Sequence, residues 1–223
     1  MGSLNLTAYV TNPFSDNVSF DRGRFLSDSA TAVRFLDNVI DLSQFPFHSQ
    51  QQQAKATRRI GLGVTGLADL LMMLGMRYGD SASQAWVAQL FISLRDTVYL
   101  ASCDLADEKG IFPVLIPEAY LESDFSKRLP EKIRNRIAQS GLRNSHLLAI
   151  APTGTISLLA NNLSSGLEPV FDYSYQRRLQ TDRGETVSVQ VEDYAWQVWR
   201  ATGATHMPKH FVTVREVTPE DHL

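Results

Sequence analysis

Short apolar strands interleaved with helical patterns predict an α/β fold for this chain. Three observations carry that expectation. Leu147-Leu148-Ala149-Ile150-Ala151 is an unbroken apolar run of strand length, as in strands covered on both faces. From Ala82 to Lys109, Trp86, Leu90, Ile92, Leu94, Val98, Leu100 and Leu105 supply the apolar surface of one long helix. From Phe25 to Leu42, Phe25, Ala30, Val33, Leu36 and Ile40 recur at helical spacing, with Arg24, Asp28, Arg34 and Asp37 between them.

The remaining elements follow in order. Residues 2 to 10 read as turn and strand, and Asn12 to Asp16 as a turn. Pro46 ends the first helical region, and Gln50 to Gln53 is a short polar patch. Arg58 to Leu70 holds Gly61, Gly63 and Gly66 among apolar residues, a bare match to GxGxxG. No five-residue apolar strand precedes it, and no ribose-binding acid can be placed after it. Close backbone approach explains these glycines better, as a short strand enters a helix from Leu67 to Leu74. Gly75, Gly79 and Gly110 punctuate helix ends, Pro113 and Pro117 mark loop, and Leu129 to Gln139 is helical. Phe171 to Leu179 reads as an aromatic strand and Val187 to Thr202 as a helix. Parallel pairing is the expectation for the strands.

Composition excludes several classes. The chain has 223 residues, 20% of them charged, with a formal net charge of -3. No basic field would hold a nucleic-acid backbone. No stretch reaches membrane-spanning length and no apolar leader opens the chain. One cysteine, Cys103, permits no intramolecular disulfide, so a cytoplasmic location is expected. Cys103 lies in a helix without a basic cluster near it in sequence, as a small buried hydrophobe would. His48, His146, His206, His210 and His222 show no metal-ligand spacing. Both ends read as cut from a longer chain. Thr218-Pro219-Glu220-Asp221 announces a helix start with almost no body after it.

The strongest functional signal is Ala151-Pro152-Thr153-Gly154-Thr155-Ile156-Ser157. A phosphate needs several donors converging on a small volume. Free N–H groups at a helix start supply them, and the helix dipole favours negative charge. Pro152 ends strand pairing, Gly154 leaves backbone uncovered, and Thr155 and Ser157 add hydroxyls. The run lacks a P-loop lysine. A plain Ser/Thr helix cap fits the local pattern equally well. Asn144 and Ser145 lie at the far end of the preceding strand and read as structural. Asn161, Asn162, Ser164 and Ser165 follow the helix. Glu168 sits in the next loop, with Arg177 and Arg178 as candidate partners. Tyr9, Tyr173 and Tyr175 read as packing or hydrogen-bonded aromatics.

Taken together, four blocks resemble the catalytic subunit of ribonucleotide reductases, nearest to the adenosylcobalamin-dependent class. They are Gly2-Ser3-Leu4-Asn5-Leu6, the Gly61 to Leu71 run with Gly75, Ala151 to Ser157, and Ser165-Gly166-Leu167-Glu168-Pro169. The resemblance implies reduction of ribonucleotides to 2′-deoxyribonucleotides by thiyl-radical chemistry, hence deoxyribonucleotide biosynthesis. It implies a ten-stranded α/β barrel, incomplete in this chain. Residues 1–223 would be a fragment of that single catalytic domain. By resemblance, the N–H groups of Gly154, Thr155, Ile156 and Ser157 face the substrate diphosphate, with the Thr153, Thr155 and Ser157 hydroxyls as helpers. Ser3 and Asn5 would border the active site. The partners implied are a ribonucleoside di- or triphosphate, a dithiol reductant such as thioredoxin, the remaining reductase segments and a second copy in a homodimer. The cofactor implied is adenosylcobalamin.

The departures bear on activity. Met1 stands where the family pattern has its reducing cysteine. The finger-loop block with its thiyl cysteine, the allosteric part and the C-terminal part do not match any residues of this chain. No catalytic residue is therefore expected here, and the chain on its own is expected to be inactive. Two further readings remain: a noncatalytic nucleotide-binding or structural segment of a split reductase, and a nicotinamide oxidoreductase resting on Gly61, Gly63 and Gly66.

Overall fold

The computed structural model describes residues 1–182 and 184–222. The chain opens with β1 (Gly2–Asn5), a 3-10 turn (Leu6–Tyr9), β2 (Val10–Thr11) and β3 (Ser19–Phe20). Helices α1 (Arg22–Leu42) and α2 (His48–Thr57) lead to β4 (Leu62–Thr65), α3 (Leu67–Met73) and α4 (Ser81–Lys109). Then come α5 (Pro117–Leu121), α6 (Asp124–Lys127), α7 (Glu131–Ser140) and α8 (Gly154–Leu159). The chain finishes with β5 (Ser174–Gln180), β6 (Thr186–Glu192), α9 (Tyr194–Ala201) and a 3-10 turn (Pro219–His222).

Helix and sheet are mixed, as expected. Among the described residues β1 neighbours β4, β2 neighbours β3, and β5 neighbours β6, with no closed barrel. The β2–β3 and β5–β6 pairs are antiparallel, which corrects the expectation of parallel pairing there. Isolated parallel bridges join Leu62 to Leu148 and Val170 to Thr213. None of the helices is long and apolar enough to cross a membrane, among the described residues.

Three local expectations need correction, each for a physical reason, and one helix was not expected. The opening strand breaks after Asn5, whose Oδ1 accepts the Thr7 N–H at 3.0 Å and the Thr7 hydroxyl at 2.7 Å. That local bond competes with strand pairing and starts the 3-10 turn. The polar patch at Gln50 to Gln53 lies inside α2, which buries no residue and so shows no apolar stripe. Val187, Val189 and Val191 alternate at the period of a strand, and β6 occupies the first half of the expected helix. The helix begins only where Asp193 caps it, accepting the Trp196 N–H at 3.1 Å. Finally, the apolar run at Leu147 to Ala151 is not covered on both faces. Leu62 donates to the Leu147 carbonyl and Ala149 to the Leu62 carbonyl, while Ile150 is 40% exposed.

The structure divides into two compact units, described separately. The first comprises Met1–Gly2, Gly23–Gly63 and Gln89–Ile150. Its core draws Phe25, Val33 and Leu36 from α1, Leu94, Val98 and Leu105 from α4, and Ile133 and Ile137 from α7. Asp37, which reads from sequence as one of the polar residues between them, is fully buried. It accepts from Arg58 Nε at 2.8 Å, Arg143 Nε at 3.2 Å and Asn144 Nδ2 at 3.0 Å. Asn144 also accepts from the Ser102 hydroxyl and donates to the Arg58 carbonyl, so its role is structural, as expected. Burial pushes the Cys103 thiol up to about 12, consistent with a packing residue.

Gly63 belongs to this unit, and its lack of a side chain is a steric requirement. A Cβ there would lie 2.5 Å from the Ala149 carbonyl oxygen. One at Gly61 would lie 2.9 Å from the Ala149 Cβ. The glycine run is thus shaped by close chain approach, as the sequence reading preferred over a dinucleotide fingerprint.

The second unit comprises Ser3–Arg22, Val64–Ala88 and Ala151–Leu223. Its core joins Ala68, Met72 and Met73 of α3 to Val170, Ala195, Trp199 and Phe211. Tyr173 stacks on Trp196 at 5.0 Å, and Trp196 on Trp199 at 4.9 Å. Every residue of α3 is buried, Asp69 included. The closing 3-10 turn is capped reciprocally: Asp221 N–H donates to the Thr218 hydroxyl, and Thr218 N–H to the Asp221 carboxylate.

Candidate functional site

The site is built in the second unit, around the turn that starts α8. Thr153 caps this helix with φ 53, ψ 19, a left-handed conformation that a β-branched residue adopts only under constraint. The constraint is a chain of hydrogen bonds. Gly166 N–H donates to Thr153 Oγ1 at 2.9 Å. Thr153 Oγ1 lies 2.9 Å from Thr65 Oγ1, and Thr65 donates onward to the Ser164 carbonyl at 3.1 Å. Because Thr65 spends its proton on Ser164, the Thr153 hydroxyl is the donor between the two. The chain begins and ends in the same loop, so it ties the turn at Thr153 to residues 164–166.

The opposite side of that loop is held by Asp69. Its Oδ2 accepts the Ser164 N–H at 2.7 Å, and its Oδ1 accepts the Ala195 N–H at 3.0 Å. Gly66, with φ 78, caps α3 and donates its N–H to the Ser164 carbonyl at 2.9 Å. Only a residue without a Cβ takes that φ at no cost. Thr65 at the end of β4 and Gly66 at the cap of α3 thus both donate to the Ser164 carbonyl, and Asp69 accepts the Ser164 N–H.

Between α8 and this loop lies a pocket of about 380 Å³. Gly154, Thr155 and Ser157 line it, facing Ser164, Ser165 and Glu168. The N–H groups of Gly154, Thr155 and Ile156 have no carbonyl one turn behind them, and no side chain caps them. Ser157 N–H donates to the Thr153 carbonyl at 2.7 Å, closing the first turn. The Ser157 hydroxyl donates to the Gly154 carbonyl at 3.0 Å and lies 3.5 Å from that of Ser165.

The structure therefore sorts the residues expected to bind substrate. Gly154, Thr155 and Ser157 meet in the pocket. Thr153 and Ile156 are not among its lining residues; Thr153 is buried and its hydroxyl is engaged, while Ile156 is 51% exposed. Ser3 and Asn5 do not line it either, although Asn5 Oδ1 lies beside Gly66, 3.5 Å from where a Cβ would sit. Glu168 lines the pocket with Arg177, and among the described residues neither forms an ion pair. Tyr175 donates its hydroxyl to Asn162, in keeping with a hydrogen-bonded aromatic. Among the described residues no three His, Cys, Asp or Glu side chains gather where a metal ion could sit.

Sequence reasoning missed Thr65, Asp69 and Asp193. A signal for one was present: Asp69 is the lone acid in an otherwise apolar helix, and an acid there needs hydrogen-bond partners. Burial raises the Asp69 carboxyl above its ordinary value, although the Ser164 and Ala195 N–H groups oppose the shift. Asp193 lines the pocket and is raised well above its ordinary value, by burial and then by the neighbouring Asp69.

Comparison with known proteins supplies the family. A family profile described as "Ribonucleotide reductase, barrel domain" matches residues 1–221. A vitamin B12-dependent ribonucleoside-diphosphate reductase of Mycobacterium tuberculosis (strain CDC 1551 / Oshkosh) is 34% identical, over 100% of this chain and 32% of its own length. Its counterpart in Thermoplasma acidophilum is 32% identical, over 100% of this chain and 29% of its own. The ribonucleoside-diphosphate reductase large subunit of Danio rerio is 29% identical, over 84% of this chain and 24% of its own. The chain spans about a third of the length of the vitamin B12-dependent relatives it matches. A profile match over 221 residues, with relatives of the same kind aligned along the whole chain, means that the chain belongs to the ribonucleotide reductase barrel-domain family.

Proposed function

We propose that this chain supplies the substrate-phosphate-binding part of a ribonucleotide reductase, within a ten-stranded catalytic barrel that its 223 residues make only in part. The observation that carries this is the pocket itself. Gly154 and Thr155, at the start of α8 where no side-chain cap is made among the described residues, line it, and a helix start favours an anion. Thr153, by this reading, acts through the turn it holds and not through contact with substrate. The substrate class is a ribonucleoside di- or triphosphate. The names of the relatives favour the diphosphate and vitamin B12 dependence. A dithiol reductant such as thioredoxin, the remaining reductase segments and a homodimer partner complete the proposal, in the cytoplasm.

Adenosylcobalamin belongs to this reading as the cofactor of the intact reductase, on the vitamin B12 dependence named for the relatives. What the chain contributes is placement: the phosphate is gripped by fixed backbone, so the ribose is held at a set distance from it.

Gly154→Val tests the grip. A Cβ at Gly154 meets no heavy atom within 4 Å, so a side chain there leaves the fold unhindered and crowds whatever occupies the pocket. Nucleoside diphosphate affinity, read by calorimetry, is expected to fall about tenfold or more. An unchanged affinity removes the loop from the site.

A separate expectation concerns chemistry. The chain's single thiol, Cys103, is buried and protonated, with its pKa pushed up to about 12. The purified chain, given cobalamin cofactor, dithiol and ribonucleotide, is therefore expected to form no deoxyribonucleotide. Product detected by chromatography above a protein-free control would contradict this.

A further inference from the structure

The pocket proposed to take a phosphate has an acid on its wall. Asp193 lines it, and an ionised carboxylate there would repel the ligand the backbone attracts. The structure offers a resolution, because Asp193 is not alone. It caps α9, accepting the Trp196 N–H, while Asp69 accepts the N–H of the preceding residue, Ala195. Two carboxyl groups thus converge on successive N–H groups of one helix start. Asp69 is 0% exposed and Asp193 3%, and the two carboxyl groups lie side by side at that helix start, accepting from the adjacent N–H groups at 3.0 and 3.1 Å.

Two neighbouring buried carboxylates cannot both stay ionised without a cation. Among the described residues, neither Asp69 nor Asp193 forms an ion pair. We propose that Asp69 and Asp193 hold one proton between them, which leaves the pair a single negative charge in place of two and lets the pocket take a phosphate group. The proton comes from solvent and no other bond changes. The inference rests on the reading of the pocket as a phosphate site.

The surroundings favour this state. Beside Asp193 on the pocket wall stand Glu168, Asp172 and Arg177, and Asp172 pairs with Arg215 at 3.1 Å. Beside the start of α9 lie Tyr194 and Glu192, the latter paired to Arg200 at 2.8 Å. Tyr173 packs against Trp196 with its hydroxyl buried and, among the described residues, without a hydrogen-bond partner; burial, then Glu216 and Asp193, keep it protonated. The 3-10 turn against α3 contributes only Tyr9, and His210 is engaged at the Met72 carbonyl. Among the described residues, neither Arg177 nor Arg200 forms an ion pair with Asp69 or Asp193. The backbone donors at Ser164, Ala195 and Trp196 stabilise the single remaining charge.

Infrared spectroscopy of the 223-residue chain, with carboxyl-labelled aspartate, reads the proton directly. A protonated-carboxyl band at neutral pH is expected in the wild type and lost in both Asp69→Asn and Asp193→Asn. Calorimetry with inorganic pyrophosphate reads the consequence. Asp69→Asn gives Asp193 an amide donor and lets it ionise, so affinity should fall about tenfold or more. The double variant Asp69→Asn/Asp193→Asn removes that charge and should recover most of the loss. No protonated band in the wild type overturns the proposal, and so does a double variant as weak as the single. A clear band in a wild-type chain that does not bind pyrophosphate keeps the shared proton and removes the phosphate reading beneath it.

Discussion

Replacing Asp37 by asparagine should cost about 3–5 kcal/mol of stability, the amount typical of stranding buried charge by removing its partner. Asp37 is fully buried and faces two guanidinium groups, Arg58 at 2.8 Å and Arg143 at 3.2 Å. Arg58 has Asp41 as a second partner, at 2.8 Å, but that carboxylate reaches solvent and screens accordingly. Asparagine keeps the shape and an acceptor oxygen while deleting the charge, so the loss reports on electrostatics and not on packing. Chemical denaturation should show an earlier midpoint with an unchanged slope. A loss below about 1 kcal/mol would mean that Asp41 alone can neutralise both arginines.

The same network predicts a direction with pH. Burial raises the Asp37 carboxyl, but hydrogen bonding and charge from Arg58, then Arg143, outweigh it and hold the group below its ordinary value of 3.8. Its contribution is therefore fully present above pH 3.8 and is lost as pH falls below that value through the folded-state value. The Asp37→Asn variant should lack this part of the acid transition.

Thr153→Val should destabilise the second unit by about 2–4 kcal/mol and loosen the pocket. Valine matches threonine in shape and carries the same strain at φ 53, so neither packing nor backbone changes in the exchange. What goes is the oxygen that accepts from Gly166 and donates to Thr65. Gly166 is buried, so its N–H is left without an acceptor at a cost of about 1–3 kcal/mol, and the lost bond to Thr65 adds about 1 kcal/mol. Thr153→Ser keeps the hydroxyl and should stay near the wild type. Nucleoside diphosphate affinity should fall in the valine variant and not in the serine variant, because the loop at residues 164–166 frames the pocket. Equal affinity in the two would detach the hydrogen-bond chain from binding.

What could be read in the sequence depended on how local its cause was. Helices α1 and α4 follow from apolar spacing along their own length. The start of α8 follows from proline, glycine and hydroxyl residues in a row. Helix α2 was missed because nothing in it is buried, so propensity alone forms it and no periodicity reports it. Strand β6 was missed because its alternating valines run directly into α9, and the change of period falls at one residue, Asp193. The pocket was legible at the start of α8 and in the loop from Ser164 to Glu168, but not at the residues that hold them. Thr65 and Asp69 act from positions 88 and 95 residues away from their partners Thr153 and Ser164, a pairing that no local pattern encodes.

The glycines of Gly61, Gly63 and Gly66 carry a lesson for pattern searching. Room for a neighbouring chain and room for a pyrophosphate select the same residue, so the spacing is degenerate between two causes. Gly63 is filled from behind by a carbonyl 2.5 Å from its missing Cβ, whereas Gly154 faces empty space within 4 Å. A search that scored glycine motifs by what occupies the vacated volume would file the first as masonry and the second as a doorway, which the letter G alone cannot do.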